Sequence, residues 1–117
     1  MYVANPLEKS SNVYMYTLHP TRVAMLKGGP TNEEKDLAAE HWAYSQGLLA
    51  NKILIFAGRT LATDEDSFAI MVIQTKSEEE ARAIMEGDPA VRGGVFRARL
   101  FPYQPMLTGS WPKQAKG

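Results

Sequence analysis

Residues 53–75 read ILIFAGRTLATDEDSFAIMVIQT, and this stretch decides the fold. It opens with a continuous apolar run of strand length, Ile53 to Ala57, which we expect to end at Gly58. A polar turn at residues 64–67 follows, and Phe68 to Thr75 is again rich in strand-favouring side chains. The two runs and the turn between them predict a β-hairpin at the centre of the chain.

The segment before the hairpin predicts a strand and then a helix. Residues 12–19 are rich in Val, Tyr, Met and Thr, which favours a strand. Thr31 and Glu34 form a capping-box pattern, in which the two side chains satisfy exposed N–H groups at a helix start. Apolar residues then recur at helical spacing, so we expect a helix to about Ala50.

The segment after the hairpin has the reverse order, a helix and then a strand. Ser77 and Glu80 form a second capping-box pattern, and Gly87 is placed to cap the end of the helix that follows. Residues 95–103 are predicted to form the last strand. The element order β-α-β-β-α-β is typical of the α+β ferredoxin-like fold with a four-stranded antiparallel sheet.

The length of 117 residues suits a single domain. We assign residues 12–105 to it, residues 1–11 to an irregular lead-in, and residues 106–117 to an irregular tail. No apolar run approaches the ~20 residues of a transmembrane helix, and no secretory signal is recognised at the N-terminus. The expected location is the cytoplasm, with no membrane partner.

Composition excludes several kinds of chemistry. The absence of cysteine rules out disulfides, thiol nucleophiles and iron–sulfur clusters, and with only two histidines a metal site has little support. We therefore expect neither a metal nor a cofactor. Thirteen basic residues balance thirteen acidic ones, so the chain lacks the excess positive charge of a general nucleic-acid binder.

Both faces of the predicted sheet carry apolar residues. In the third strand, Ile70 and Val72 point to one side while Met71 and Ile73 point to the other. Two helices cover only one face, and an antiparallel sheet with a wet second face should be polar there. We therefore predict a homodimer in which two sheets pack together. The alternative is that the tail containing Trp111 folds back over the second face.

His41 and Asp88 are the first candidates for chemistry. His41 shares the inner line of the first helix with Leu37 and Leu48, and Asp88 follows the second helix. If the two meet, Asp88 fixes the imidazole tautomer and the other ring nitrogen is free to act as a base. Spacing does not settle whether they meet. On the residues alone, a core histidine that bonds a carbonyl and an aspartate that forms a turn are the simpler interpretations.

Four further residues are candidates for contacts with a substrate. His19 and Arg22 follow the first strand, and Arg59 follows Gly58 at the end of the second. Arginine binds anionic groups well because its planar fork offers paired donors. Tyr44 lies one helical turn after His41 and is a candidate for the pocket wall. For any one of these charges, a solvated loop end is the simpler interpretation.

Short motifs in order along the chain resemble the YCII-related (YciI-like) proteins. The resemblance extends from Val13 to Pro105. It rests on the segments Leu18-His-Pro-Thr-Arg22, Gly29-Pro-Thr31, Glu40-His41, Ala57-Gly58-Arg59-Thr60, Asp88-Pro89 and Gly94-Val-Phe96.

The resemblance implies a dimeric α+β barrel whose proposed active site pairs a helix-one histidine with an aspartate after helix two. These positions fall on His41 and Asp88 in this chain. Some relatives are linked to elimination or dehydrochlorination of hydroxylated aromatics. The resulting hypothesis is a cofactor-free lyase or isomerase that acts on a small anionic or phenolic molecule. The alternative is a non-catalytic dimer that binds a small ligand or regulates another process.

Overall fold

The computed structural model describes residues 12–110. The elements follow the predicted order, with one short extra helix before the last strand. They are β1 (Val13–Pro20), α1 (Asn32–Ala50), β2 (Leu54–Arg59), β3 (Ala69–Gln74), α2 (Glu78–Gly87), α3 (Pro89–Arg92) and β4 (Phe96–Pro102). A single 3₁₀ turn, Val23–Lys27, lies in the loop after β1. The prediction of an α+β ferredoxin-like protomer is confirmed.

The sheet has the order β2-β3-β1-β4, and every neighbouring pair is antiparallel. Leu18 in β1 lies opposite Ala69 on one side and Ala98 on the other. Because successive residues of a strand point to opposite faces, this register sorts the whole sheet into two sets of side chains.

The helix face of the sheet forms the core. Tyr16, Leu18 and Ile73 on this face are no more than 1% exposed. They pack against apolar side chains of both long helices, namely Leu48, Ala81 and Met85. The α1 and α2 helices therefore cover a single face of the sheet, as the element order predicted.

The other side of the sheet, called the open face below, carries a mixture of apolar, aromatic and basic side chains. Its residues, read from the register, are Val13, Met15, Thr17, His19, Phe56, Phe68, Ile70, Val72, Arg97, Arg99 and Phe101. No helix of the described chain, residues 12–110, packs on it. Residues 103–110 run beside Phe56 and Val72 and enclose with them a cavity of about 550 Å³. Trp111, which was the alternative cover, lies outside the described residues.

Two predicted element ends are wrong. The second strand does not end at Gly58, because Gly58 pairs with Ile70 and the ladder continues to Arg59 opposite Ala69. Pairing with a neighbouring strand overrides the local preference of glycine for a turn. The second helix is not capped by Gly87, which is its last residue; Asp88 is the cap, in extended conformation. A Cβ on Gly87 would lie 3.2 Å from the Tyr44 hydroxyl, so this glycine serves close packing.

The helix starts follow the predicted capping patterns with one difference. Both halves of the capping box at Thr31 and Glu34 are present. At α2, the Ser77 side chain accepts from the Glu80 N–H as expected. The Glu80 carboxylate, however, accepts from the N–H of Lys76, one residue earlier than a capping box requires.

No helix within residues 12–110 is long and apolar enough to cross a membrane. Residues 103–110 contain no helix or strand, while residues 1–11 and 111–117 lie outside the described part of the chain. The domain boundaries at residues 12 and 105 therefore stay a prediction.

Candidate active site

His41 and Asp88 are in contact. The Nδ1 atom of His41 lies 2.8 Å from both carboxylate oxygens of Asp88. The two residues are 47 positions apart and meet because α3 packs on α1. A Cβ on Gly93, just after α3, would lie 2.5 Å from the Leu37 side chain on α1. The glycine therefore allows the close approach of the two helices that brings Asp88 to the histidine.

Asp88 is fully buried and surrounded by hydrogen-bond donors. Its Oδ2 accepts from the Tyr16 hydroxyl at 2.9 Å, and its Oδ1 accepts from the Ala90 N–H at 3.1 Å. The bond to Ala90 is the N-cap of α3, and Pro89 at the first helical position favours the extended conformation of Asp88. Asp88 is thus both the turn device that the residues suggested and the partner of His41. Since the Tyr16 hydroxyl and the Ala90 N–H both donate to it, the site suits an ionised carboxylate.

This arrangement determines the tautomer of His41. An ionised carboxylate only accepts hydrogen bonds, so Nδ1 carries a proton and the lone pair of the neutral ring is on Nε2. Nε2 has no hydrogen-bond partner among residues 12–110. The ring edge also packs against Phe96, with the ring centroids 6.1 Å apart. The ring is therefore held on two sides while one nitrogen is left for a ligand.

A cavity of about 340 Å³ lies between α1 and the helix face of the sheet, and His41 is in its wall. The lining is mostly apolar, and it includes one cation, Arg59. The lining residues are Leu18, Ala38, His41, Trp42, Ser45, Ala57, Gly58, Arg59, Ala69, Ile70, Met71 and Phe96. A mostly apolar cleft with few polar groups is typical of small-molecule sites.

Arg59 is the last residue of β2 and lies in the same cavity wall as His41. Among residues 12–110, no carboxylate lies within salt-bridge distance of its guanidinium. An arginine without an acidic partner in a mostly apolar wall is suited to hold an anionic ligand.

The structure places Arg22 outside this cavity. Its guanidinium bonds both carboxylate oxygens of Glu34, at 2.9 and 2.6 Å, and the carbonyl of Gly29 at 2.6 Å. The hydrogen bond from Arg22, together with that from the Thr31 N–H, lowers the pKa of Glu34 to about 2. Arg22 thus joins the loop after β1 to the start of α1, a role that the sequence analysis did not anticipate.

His19 and Tyr44 are also absent from the cavity wall. His19 is on the open face, where its ring stacks on Phe68 with centroids 5.8 Å apart. The Tyr44 hydroxyl donates to the carbonyl of Ile84 at 2.7 Å, which joins α1 to α2. Burial raises the pKa of Tyr44, and the nearby charge of Asp88 adds to the effect. Of the six candidate residues, the structure brings together His41, Asp88 and Arg59.

Three neighbours of the pair were not predicted as site residues. Tyr16, Trp42 and Phe96 lie on three different elements. Trp42 directly follows His41 and Phe96 ends the Gly94-Val-Phe96 segment, whereas Tyr16 is distant in sequence from both His41 and Asp88. The alternation of side chains along β1 puts Tyr16 on the same face as Leu18, but nothing local indicates that its hydroxyl reaches Asp88, 72 positions away. Among residues 12–110, no group of three or more His, Cys, Asp or Glu is placed to hold a metal ion.

Comparison with known proteins agrees with this architecture. Among solved structures, the chain is similar to 5-chloro-2-hydroxyhydroquinone dehydrochlorinase (TftG) from Burkholderia phenoliruptrix AC1100, solved in complex with 2,5-dihydroxybenzoquinone. The TM-score is 0.57 at 20% sequence identity, and the match covers 78% of this chain and 93% of that one. At this identity the likeness establishes the fold. No curated protein matches the chain in sequence. The YCII-related domain matches residues 13–102, and the chain therefore belongs to the YCII-related family.

Proposed function

We propose that the protein is a cofactor-free lyase or isomerase that acts on a small anionic or phenolic molecule through His41 and Asp88. The observation that carries the proposal is the 2.8 Å contact from His41 Nδ1 to the buried Asp88 carboxylate, with Nε2 unpartnered among residues 12–110. A base oriented by a buried carboxylate beside a small-molecule cavity is the arrangement that proton-transfer catalysis requires.

His41 moves the proton in the proposed reaction. Nε2 takes a proton from a C–H or O–H of the substrate, and the electron pair left behind either expels a leaving group or shifts within the substrate. In an elimination the leaving group departs with its electron pair, and in an isomerisation Nε2–H returns the proton at another atom. Asp88 stabilises the imidazolium formed in between. A positioned imidazole contributes typically ~10²–10⁴-fold, which suits an activated substrate.

Arg59 holds the anionic part of the substrate in this proposal. Carboxylates and phenolates accept paired hydrogen bonds from its guanidinium, and the apolar wall around it strengthens the attraction. The ligand named for the structural neighbour, 2,5-dihydroxybenzoquinone, is a compact ring with ionisable hydroxyls and is of this chemical class. Loss of HCl, the reaction named for that neighbour, is an elimination.

The first experiment looks for binding and proton transfer together. Benzoate, catechol, hydroquinone and 2,5-dihydroxybenzoquinone are screened by thermal shift, and the ligands that stabilise the protein are incubated with it in D₂O. We expect at least one ligand to gain deuterium or to give a new product by NMR. Binding without exchange or product from any ligand would overturn the catalytic proposal in favour of a ligand-binding or regulatory protein.

The two histidines provide a matched test of the site. With a substrate in hand, we expect His41→Gln to lower turnover by roughly 10²–10⁴-fold, because no other base among residues 12–110 lines the cavity. His19→Gln is the control, since His19 lies on the opposite face of the sheet. Equal loss in both variants, or unchanged turnover in His41→Gln, would contradict the assignment of the base.

We also propose that two copies of the chain pair through their open faces. Support comes from the exposure of large apolar side chains there, with Phe56 at 45% and Phe68 at 39%. Contiguous exposed apolar surface marks an interaction site, and a second copy of the same face is a self-complementary cover. Sedimentation equilibrium should give twice the mass of 13.0 kDa at micromolar concentration. A monomer at all concentrations up to crystallisation conditions would refute the pairing.

A further inference from the structure

Tyr16 contacts the His41–Asp88 pair from inside the core. It is in β1, between β3 and β4, and its side chain is 0% exposed. The hydroxyl donates to Asp88 Oδ2 at 2.9 Å, the same oxygen that lies 2.8 Å from His41 Nδ1. A phenylalanine would fill nearly the same volume, so packing alone does not explain the hydroxyl. Burying that group in an apolar core without a hydrogen-bond partner would destabilise the fold.

The Tyr16 hydroxyl is a permanent donor. Burial raises the pKa of Tyr16 far above its ordinary value of 10.0, and the charge of Asp88 raises it further. The O–H therefore stays protonated at any pH at which the protein works. Tyr16 has no access to the cavity that His41 lines, so it neither takes nor gives a proton during a reaction. Its effect on the site must pass through Asp88.

The hydrogen bond from Tyr16 should make Asp88 a weaker partner for a protonated His41. A donor on Oδ2 withdraws negative charge from the carboxylate, so Asp88 stabilises a protonated His41 less than a carboxylate without that donor would. The Ala90 N–H holds Oδ1 at 3.1 Å, and together the two bonds fix the carboxylate with both oxygens equidistant from Nδ1. Among residues 12–110, Arg59 lines the same cavity as His41, and Tyr44 on α1 is near enough to Asp88 to be affected by its charge.

We propose that Tyr16 is a positioning residue that sets the orientation of Asp88 and thereby the pH range over which His41 acts as a base. The geometric part of this inference stands on the contacts alone, and its catalytic meaning rests on the proposed function. Tyr16 itself is not a catalytic residue, since it touches neither the cavity nor Nε2.

The test compares two tyrosine-to-phenylalanine variants of the full chain without any ligand. Tyr16→Phe removes the donor from Asp88, while Tyr44→Phe removes a hydroxyl that bonds the carbonyl of Ile84. The ring protons of His41 are followed by NMR against pH, with His19 as an internal reference. We expect the midpoint of the His41 titration to rise by about half a pH unit in Tyr16→Phe, a fraction of one hydrogen bond. It should stay at the wild-type value in Tyr44→Phe.

An unchanged His41 midpoint in folded Tyr16→Phe would overturn the proposal. Equal movement in both variants would also overturn it, because that result indicates general loosening. If Tyr16→Phe does not fold, the wild-type protein still provides the test. The Tyr16 hydroxyl proton should then exchange slowly with water, and its chemical shift should change with the same midpoint as the His41 ring protons when the pH is varied. A Tyr16 hydroxyl signal that does not follow the His41 titration would likewise overturn the proposal.

Activity separates this inference from the proposed function. With a substrate, the acidic limb of the kcat/KM profile should move by the same amount as the NMR midpoint in Tyr16→Phe, with KM little changed. If the NMR midpoint moves and no ligand is ever turned over, the proposed function fails and the positioning role survives. If turnover is found but neither midpoint nor profile moves, the positioning role fails and the function survives.

Discussion

The two faces of the sheet differ in how far the described chain covers their side chains and hydrogen-bonds their polar groups. On the helix face the chain supplies its own cover, and the buried polar groups Tyr16 and Asp88 are hydrogen-bonded to each other. On the open face the Thr17 hydroxyl is buried without a partner among residues 12–110, and Arg97 and Arg99 have no carboxylate within salt-bridge distance in that range. The described residues therefore satisfy the polar groups of the helix face, whereas the open face keeps polar groups that have no partner among residues 12–110.

The two histidines illustrate the same difference. His41, between α1 and the sheet, has a buried acidic partner that orients its ring. His19, on the open face, stacks on Phe68 and has no charged partner within residues 12–110. The same side chain is thus oriented by a carboxylate on one side of the sheet and is a flat packing surface on the other.

Truncation of a core side chain on the helix face should change stability the most. Leu18 is 1% exposed, so Leu18→Ala should lower the free energy of unfolding by about 2–5 kcal/mol through lost burial and the cavity left behind. Met15→Ala, on the same strand but on the open face, is the matched control and should cost clearly less at low protein concentration. Urea denaturation measures both. An equal loss of unfolding free energy in both variants would show that the two faces contribute alike to stability.

A charged side chain introduced on the open face should weaken the proposed dimer. We expect Ile70→Lys to weaken the proposed dimer about a hundredfold or more, equivalent to ~2.7 kcal/mol, because the interface would bury an unpaired ammonium. The monomer should stay folded, since Ile70 is only partly buried. Sedimentation at several concentrations checks this, with Glu79→Lys on the exposed side of α2 as the control. An unchanged dissociation constant would place the interface elsewhere.

At alkaline pH, the free energy of unfolding should depend on the ionisation of Tyr16 on the helix face. Its pKa is raised in the folded state, so above pH 10 the hydroxyl ionises in the unfolded chain but not in the folded one. Its contribution to stability is complete below that pH and is lost as the pH rises, by about 1.4 kcal/mol per pH unit. Tyr16→Phe should flatten this slope in urea denaturation, whereas Tyr103→Phe, at a ring 43% exposed, should not. The same slope in wild type and Tyr16→Phe would contradict the prediction.

The ion pair of Arg22 and Glu34 at the start of α1 should have the smallest effect on stability. The pKa of Glu34 is lowered to about 2 in the folded protein against 4.5 ordinarily, chiefly by Arg22. Its stabilising contribution is therefore present above about pH 4.5 and is lost as the pH falls toward 2. Glu34→Gln should remove this part of the acid dependence, measured by denaturation between these values, while the exposed Glu33→Gln leaves it in place. No difference between the two variants would show that the pairing with Arg22 contributes nothing.

Local sequence patterns predicted the helices and strands well where contacts between residues close in sequence determine them. The Thr31–Glu34 capping box, the inward line of Leu37, His41, Tyr44 and Leu48 on α1 and the alternation of β3 depend on neighbours within a few residues, and all three are present. The prediction failed for β2 because a distant partner decides its end: β2 continues past Gly58 since β3 pairs with it.

The candidate site shows the same division. Helical period and chain order were sufficient to predict that His41 faces inward and that an aspartate follows the second helix. The approach of α3 to α1 at Gly93, the 2.8 Å contact of Asp88 with His41 and the hydrogen bond from Tyr16 depend on tertiary packing. The physical reason is that these contacts join residues 47 and 72 positions apart, and helix-on-helix and helix-on-sheet packing alone brings them together.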